Sequence, residues 1–408
     1  MTKLEKMLKY VSEHNDFYKN RIKEYGIKDP LDITQWPILT RKELQVNRYN
    51  MFSDGYKSKY FNQQLRRQSS SGSTGMPVNV YWDYKDWYAS NMCLWRKRWE
   101  WYGIKPNDKC LMFTLNSFGI KNSDQIFYIN VTQNILSINI SLITQDNSFS
   151  KVEKILNEYR PKWLLIQPFI LDKLIRSYQN NQTFPPPSVS YIETLGGPLP
   201  SDIRRKARSL FHCNVTNMYG SEETNAIALE NPKQEMTVLE DNVFIEVENE
   251  NVYKQQIASG NIIITSLHNY AMPLIRYCLN DFVKIQCDIS DKVYEKIIAC
   301  VCGRMSQVLP IGDYYISDFL LMEVIAETNN RFGDPIEEYF FEFLSKSNSL
   351  RCYIRLGNMQ HYNYKAIKLF IEELFNKKTV LPSTIEFSVI QCNQTPQIKR
   401  KKQILFVE

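Results

Sequence analysis

Apolar residues recur at helical spacing from the start of the chain, with Leu4, Met7, Leu8 and Val11 on one face. Thr40, a capping residue ahead of Arg41-Lys42-Glu43-Leu44, marks a later helix start, so residues 1 to about 60 are expected to be mainly helical. The texture changes between about 85 and 215. Short apolar runs at 109–113, 138–142, 163–166 and 191–195 alternate there with segments of helical period, one from Ser148 or Ser150 to Tyr159 and one capped by Ser201. Strands separated by helices predict an α/β fold of layered sheets and helices. From about 236 to 300 the pattern becomes β, as at 243–247 and 261–265, which predicts a β-rich subdomain. A smaller α+β unit is expected from about 304, with a helix over 364–375 and a strand over 384–389. The expected domains are therefore an N-terminal core, 1–303, and a C-terminal lid, 304–408.

Composition narrows the class. With 43% hydrophobic and 23% charged residues, the 408-residue chain reads as globular. No apolar run reaches the roughly 18–20 residues of a membrane span. The opening Met1-Thr2-Lys3-Leu4-Glu5-Lys6 reads as a charged helix, and a cytoplasmic location is expected. Nine cysteines lie without a framework spacing, which suits reduced thiols. Cys300-Val301-Cys302, near Cys278 and Cys287, lacks the paired Cys-x2–4-Cys spacing of zinc.

The net charge of +6 is mild, and no aromatic-and-basic groove pattern points to nucleic acid. Arg204, Arg205, Lys206 and Arg208 read as a solvated helix face, and the stretch 95–101 as a helix with an aromatic core and charged outer side. Lys399-Arg400-Lys401-Lys402 is either a solubilising tail or a contact for a phosphate-bearing ligand or acidic partner.

The chemistry concentrates in a few loops. Ser69-Ser70-Ser71-Gly72-Ser73-Thr74-Gly75-Met76-Pro77 combines hydroxyls with unhindered amides, a composition that suits phosphate oxygens, between Arg66-Arg67 and a strand at 78–82. It is no Walker loop, since no lysine follows Gly75; a flexible Ser/Gly linker is its bland alternative. Gly196-Gly197-Pro198-Leu199-Pro200 is a backbone-exposing turn suited to a flat ring. Asn217-Met218-Tyr219-Gly220-Ser221-Glu222-Glu223 offers an aromatic face to stack on a base and carboxylates to hold magnesium. Pro273 to Asp281 ends in a carboxylate able to grip ribose hydroxyls, and Gly303-Arg304 follows at the expected domain junction.

In this order the segments resemble the adenylate-forming superfamily of acyl-CoA synthetases and adenylation domains, most closely the phenylacetate-CoA ligase branch and its capsular-polysaccharide-associated relatives. The resemblance covers nearly the whole chain and includes Asn15-Asp16-Phe17-Tyr18 and the stretch 37–44. It implies an ATP-dependent ligase. A carboxylic acid, aryl or similarly small, would attack the α-phosphate of ATP to give an acyl-adenylate and pyrophosphate. An acceptor would then displace AMP, most often CoA; a phosphopantetheine on an acyl carrier protein or an amine are alternatives. A degenerate nucleotide-binding protein is the reading from another class.

The resemblance assigns Ser70, Ser71, Gly72, Ser73, Thr74 and Gly75 to the phosphates, and Gly196, Gly197, Pro198, Asn217, Met218, Tyr219, Gly220 and Ser221 to the nucleotide. Glu223 would hold Mg²⁺, Asp281 the ribose, and Arg304, in the hinge segment, would also bind the nucleotide. Phe118, Gly119, Gly196 and Tyr219 would line the acyl pocket. Lys399 would be the lid lysine, with Lys401 and Lys402 as substitutes.

The match departs from the family pattern in three places. Leu279-Asn280 replaces the usual Thr-Gly before Asp281, Ser306-Gln307 replaces the acidic hinge residues, and Ile398 replaces the Gly before the lysine. The stretch from Ala228 to Val238 has none of the Cys and His ligands of the branch's zinc cluster, so no structural zinc is expected. The four histidines lie outside every motif.

Overall fold

The helix Lys3–His14 buries Met7, Leu8 and Val11, and a capping box between Thr2 and Glu5 closes its first turn. Asn15 caps the next helix, Asp16–Tyr25, which Gly26 ends at φ 64°. A second capping box, between Thr40 and Glu43, starts the short helix Arg41–Val46. The computed structural model describes residues 1–70, 77–114, 126–140, 149–248, 257–287, 296–304, 309–311, 314–357, 362–379, 386–393 and 404–407. Two compact units make up the chain: Met1–Gly197 with Leu210–Cys300, and Pro198–Ser209 with Val301–Glu408. The sequence pattern gave one division, at 303/304; the structure divides the chain at Cys300/Val301 and adds the excursion Pro198–Ser209 to the second unit.

A mixed sheet, twelve strands among the described residues, dominates the fold. Its parallel part runs Ile135–Asn139, Cys110–Thr114, Trp163–Ile166, Tyr191–Leu195, Asn214–Ser221. Helices such as Phe149–Tyr159 and Pro168–Asn181 provide the crossovers. The sheet continues antiparallel through Asn225–Glu230 and Met236–Val238. Further along the same sheet Val243–Val247, Ile257–Ser266 and Tyr277–Cys287 pair antiparallel. A separate hairpin, Arg66–Ser69 with Asn79–Trp82, flanks the Ser/Gly loop.

Three expectations are corrected. The strand expected over 138–142 is Ile135–Asn139: Asn134 turns at φ 52°, and pairing with Cys110–Thr114 begins at Ile135. Arg98 points into the protein instead of outward. It donates from Nε at 2.8 Å and Nη2 at 2.5 Å to the fully buried Glu193, between Trp95 and Trp163, while Trp99 faces solvent. Lys206 is buried, its Nζ 3.1 Å from Asp334 and 3.4 Å from Asp202.

In the second unit a hairpin, Ile336–Leu344 with Ser349–Leu356, is flanked in parallel by Glu386–Gln391 and Ile404–Val407. Helices Asp318–Phe332 and Tyr364–Lys378 contribute Leu321, Ile325, Ile367, Ile371 and Phe375 to its core. The first turns of the helix Ser201–Phe211 join this unit through polar contacts. Arg205 pairs with Asp334 at 2.9 Å, and Asn329 donates to Asp202 at 3.1 Å.

Candidate nucleotide site

Parallel strands end with their carbonyls and following loops at one edge, the usual place for a ligand in an open α/β sheet. At that edge Tyr191–Leu195 runs into Gly196, whose φ of 77° turns the chain where a side chain would be strained. On the next strand Asn217 fixes this turn. Its backbone N–H donates to Glu230 at 2.7 Å, its carboxamide oxygen accepts from Thr194 at 2.9 Å, and its Nδ2 donates to the Gly197 carbonyl at 3.3 Å. Thus Gly196, Gly197 and Asn217 are brought together. Pro198 belongs to the second unit, as does Arg304, which closes the strand Lys296–Arg304.

The strand Asn214–Ser221 turns back into Asn225–Glu230, with a register shift between Tyr219 and Gly220. Gly220 is required here, because a Cβ would lie 2.7 Å from the Asn225 carbonyl oxygen. The tight return presents Glu222 and Glu223. Tyr219 reaches across to Tyr277–Cys287, where its hydroxyl donates to Asp281 Oδ2 at 2.8 Å. Asn280, at φ 60°, sits just before Asp281 on that strand. The residues assigned to base and ribose are therefore neighbours.

Glu223 is 5% exposed, and its surroundings come from distant parts of the chain. Leu39 pairs with the start of Tyr277–Cys287: its N–H donates to the Arg276 carbonyl at 2.8 Å, and its carbonyl accepts from Cys278 N–H at 3.0 Å. This pairing and the Thr40 cap place Arg41 beside Tyr277. Arg41 Nη1 lies 3.4 Å from Glu223 Oε1, the Tyr277 hydroxyl lies 3.4 Å from the same oxygen, and Arg41 Nη2 donates to Ser70 Oγ at 2.8 Å. Ser70 stands at the stem of the Ser/Gly loop, closed by its N–H to the Val78 carbonyl at 2.9 Å. Gln68, in the same stem, donates to Asn225 at 3.2 Å, tying stem to hairpin.

Glu222 is exposed at its surface, but partial desolvation on the hairpin, reinforced by the charge of Glu223, pushes its carboxyl up. Burial also raises the Tyr277 hydroxyl, with Glu223 adding to the effect, so Tyr277 stays protonated as a donor. Glu223 is thus a buried carboxylate whose Oε1 faces one hydroxyl donor and one arginine. Among the described residues no three His, Cys, Asp or Glu side chains cluster as an all-protein metal site. No helix among them is long and apolar enough to cross a membrane.

Ser71, Gly72, Ser73, Thr74, Gly75, Phe118, Gly119, Ser306, Gln307, Lys399, Lys401 and Lys402 lie outside the described residues. The chain places Ser70, Gly196, Gly197, Asn217, Tyr219, Glu223 and Asp281 in one unit. Arg41 and Tyr277 escaped assignment from sequence; both sit inside the quoted stretches, 37–44 and 273–281, whose likeness to the family was the available signal.

Residues 68–264 match the family described as AMP-binding enzyme. That segment spans Ser70, the Gly196-Gly197 turn and Tyr219 to Glu223, whereas Arg41, Tyr277 and Asp281 lie outside it. A curated relative, protein CapK of Staphylococcus aureus, is 24% identical over 416 residues, covering 98% of this chain and 87% of its own length. Among solved structures, a 2-hydroxyisobutyryl-CoA ligase in the postadenylation state, in complex with R3-HIB-AMP, superposes with a TM-score of 0.75 at 12% identity. It covers 99% of this chain and 88% of that one. An anthranilate CoA ligase in complex with anthranoyl-AMP gives 0.56 at 13% identity, over 82% of this chain and 64% of the other. These likenesses establish the acyl-CoA ligase fold for the chain.

Proposed function

We propose that this protein activates a small carboxylic acid with ATP and passes the acyl group to a thiol, with CoA the acceptor best supported. The observation that carries this reading is the grouping of Ser70, Arg41, Glu223 and Tyr277 beside the Tyr219–Asp281 pair, around an AMP-binding segment. The CoA ligases with acyl-AMP complexes that share its fold support the same chemistry.

In the first step a carboxylate oxygen forms a bond to the α-phosphorus and the α–β phosphoanhydride bond breaks, releasing pyrophosphate. Charge accumulates on phosphate oxygens, so positioned donors and cations do most of the work. The loop 70–75 with Thr74 would donate to the β- and γ-phosphates. Glu223 would hold Mg²⁺, which when bound neutralises phosphate charge. Tyr219 would cover the base, Asp281 would accept from ribose hydroxyls, and Asn217 would keep the Gly196-Gly197 turn in place against the ring and the acyl group. Phe118 and Gly119 would complete the acyl pocket. In the second step the thiol sulfur attacks the acyl carbon, the thiol proton leaves, and the C–O bond to AMP breaks. The C-terminal domain, 304–408, would act as a mobile lid carrying Lys399 to the adenylate oxygens. The phenylacetate-type branch and a cytoplasmic setting belong to this proposal.

Acid-dependent exchange of labelled pyrophosphate into ATP tests it. A panel of small aryl and hydroxylated acids should contain at least one that supports exchange. ATP binding without exchange for any acid would replace the proposal with that of a nucleotide-binding protein. Release of AMP from the preformed adenylate by an amine or a carrier, but not by CoA, would change the acceptor.

A further inference from the structure

Glu223 is buried, and among the described residues the cation in ion-pair range of it is Arg41. The contact is loose for an arginine–carboxylate pair: one nitrogen, one oxygen, 3.4 Å, with none of the fork-to-fork geometry that makes such pairs strong. The same guanidinium donates at 2.8 Å to Ser70 Oγ, and Ser70 Oγ also accepts from Val78 N–H at 2.9 Å. A hydroxyl that accepts twice has its own proton left to give. Arg41 and Ser70 therefore form a paired donor at the root of the segment that the proposed function assigns to phosphate.

We infer that Arg41 is a phosphate-contacting residue that changes partner: it neutralises Glu223 before nucleotide binds and turns to the β- and γ-phosphates of ATP when Glu223 takes up the metal. The inference rests on the adenylation reading and adds to the site a residue from outside the AMP-binding segment. Physical grounds favour the exchange. A buried carboxylate left without a counter-charge is costly, so Glu223 needs Arg41 until a nucleotide and its metal bind. A nucleotide with its metal brings a cation for Glu223 and anions for Arg41 together, and a planar guanidinium grips a phosphate better than it grips one oxygen of Glu223. The Thr40 cap, the 2.6 Å pairing of Arg21 with Glu43 and the Leu39 strand pairing hold the backbone of Arg41, so the exchange needs side-chain rotation alone.

Titration calorimetry of the full chain with ATP plus Mg²⁺, pyrophosphate plus Mg²⁺, and AMP, without any acid, tests the assignment in wild type, Arg41→Gln and Arg41→Lys. Arg41→Gln should weaken ATP and pyrophosphate at least tenfold while AMP, which lacks the β- and γ-phosphates, changes less than twofold; Arg41→Lys should fall between. Unchanged ATP affinity in Arg41→Gln, or an equal loss for ATP and AMP as a structural role would give, overturns the assignment and leaves the adenylation reading standing. Should Arg41→Gln fail to fold by thermal melt, Arg41→Lys decides by the same selectivity. A wild-type chain that binds neither nucleotide overturns the adenylation reading and the assignment together.

Discussion

Glu193→Leu should be among the most damaging single substitutions in the first unit. Glu193 is fully buried and receives two hydrogen bonds from Arg98, itself 5% exposed, plus one from the Tyr191 hydroxyl at 3.0 Å. Removing the carboxylate leaves a guanidinium in a low-dielectric pocket walled by Trp95 and Trp163, at 4.5 and 5.0 Å from their ring centres, with no other counter-charge in ion-pair range among the described residues. Breaking one side of such a pair costs about 3–5 kcal/mol, whereas replacing both partners with apolar residues of similar volume is neutral to stabilising by about 1–4 kcal/mol. With a urea slope of about 3 kcal/mol per molar, Glu193→Leu should lower the unfolding midpoint by about 1–2 M, and Arg98→Met with Glu193→Leu should restore most of it. All seven tryptophans belong to the first unit, so their fluorescence follows that unit's transition alone. A Glu193→Leu loss under about 1 kcal/mol, or a double variant as unstable as the single one, would refute the reasoning from uncompensated buried charge.

Burial, with the charge of Asp83, raises the Asp86 carboxyl to about 6. Its folded value exceeds the unfolded value of about 3.9, so its stabilising contribution is complete below about pH 4 and is lost as pH rises through about 6. Asp86→Asn should therefore gain on the wild type in urea midpoint between pH 4 and 7, and a constant difference would contradict this. Gly220→Ala forces a Cβ to within 2.7 Å of the Asn225 carbonyl, and overpacking of this kind costs about 1–3 kcal/mol. Pyrophosphate exchange should fall sharply, and retention of wild-type exchange would show that the hairpin tolerates opening. Lys399→Ala should depress adenylate formation strongly in rapid-quench assays while ATP affinity stays within about twofold; an unaffected rate would move the role to Lys401 or Lys402.

The strands Trp163–Ile166 and Tyr191–Leu195 were legible to the residue, because buried parallel strands write continuous apolar runs bounded by turns. Ile135–Asn139 was misplaced since Leu136 to Leu142 alternates without a break, and only pairing with Cys110–Thr114 chooses the frame. Arg98 and Lys206 looked like solvated charges because their partners, Glu193 and Asp334, are 95 and 128 residues away. The attachment of Pro198–Ser209 to the second unit is non-local in the same way. Tyr219, Glu223 and Asp281 were readable as motif residues, and the structure places Tyr219 against Asp281. Arg41 carried the signal of a helix start, while its meeting with Glu223, 182 residues on, depends on strand pairing that no local pattern encodes.

The most direct test of carboxylate attack on the α-phosphorus follows an oxygen atom. With an acid that supports exchange, labelled with ¹⁸O in its carboxylate, a complete turnover with CoA should leave one ¹⁸O in the AMP and none in pyrophosphate, read by mass spectrometry. Label in inorganic phosphate with ADP as co-product, or AMP free of label, would contradict adenylate formation by this protein.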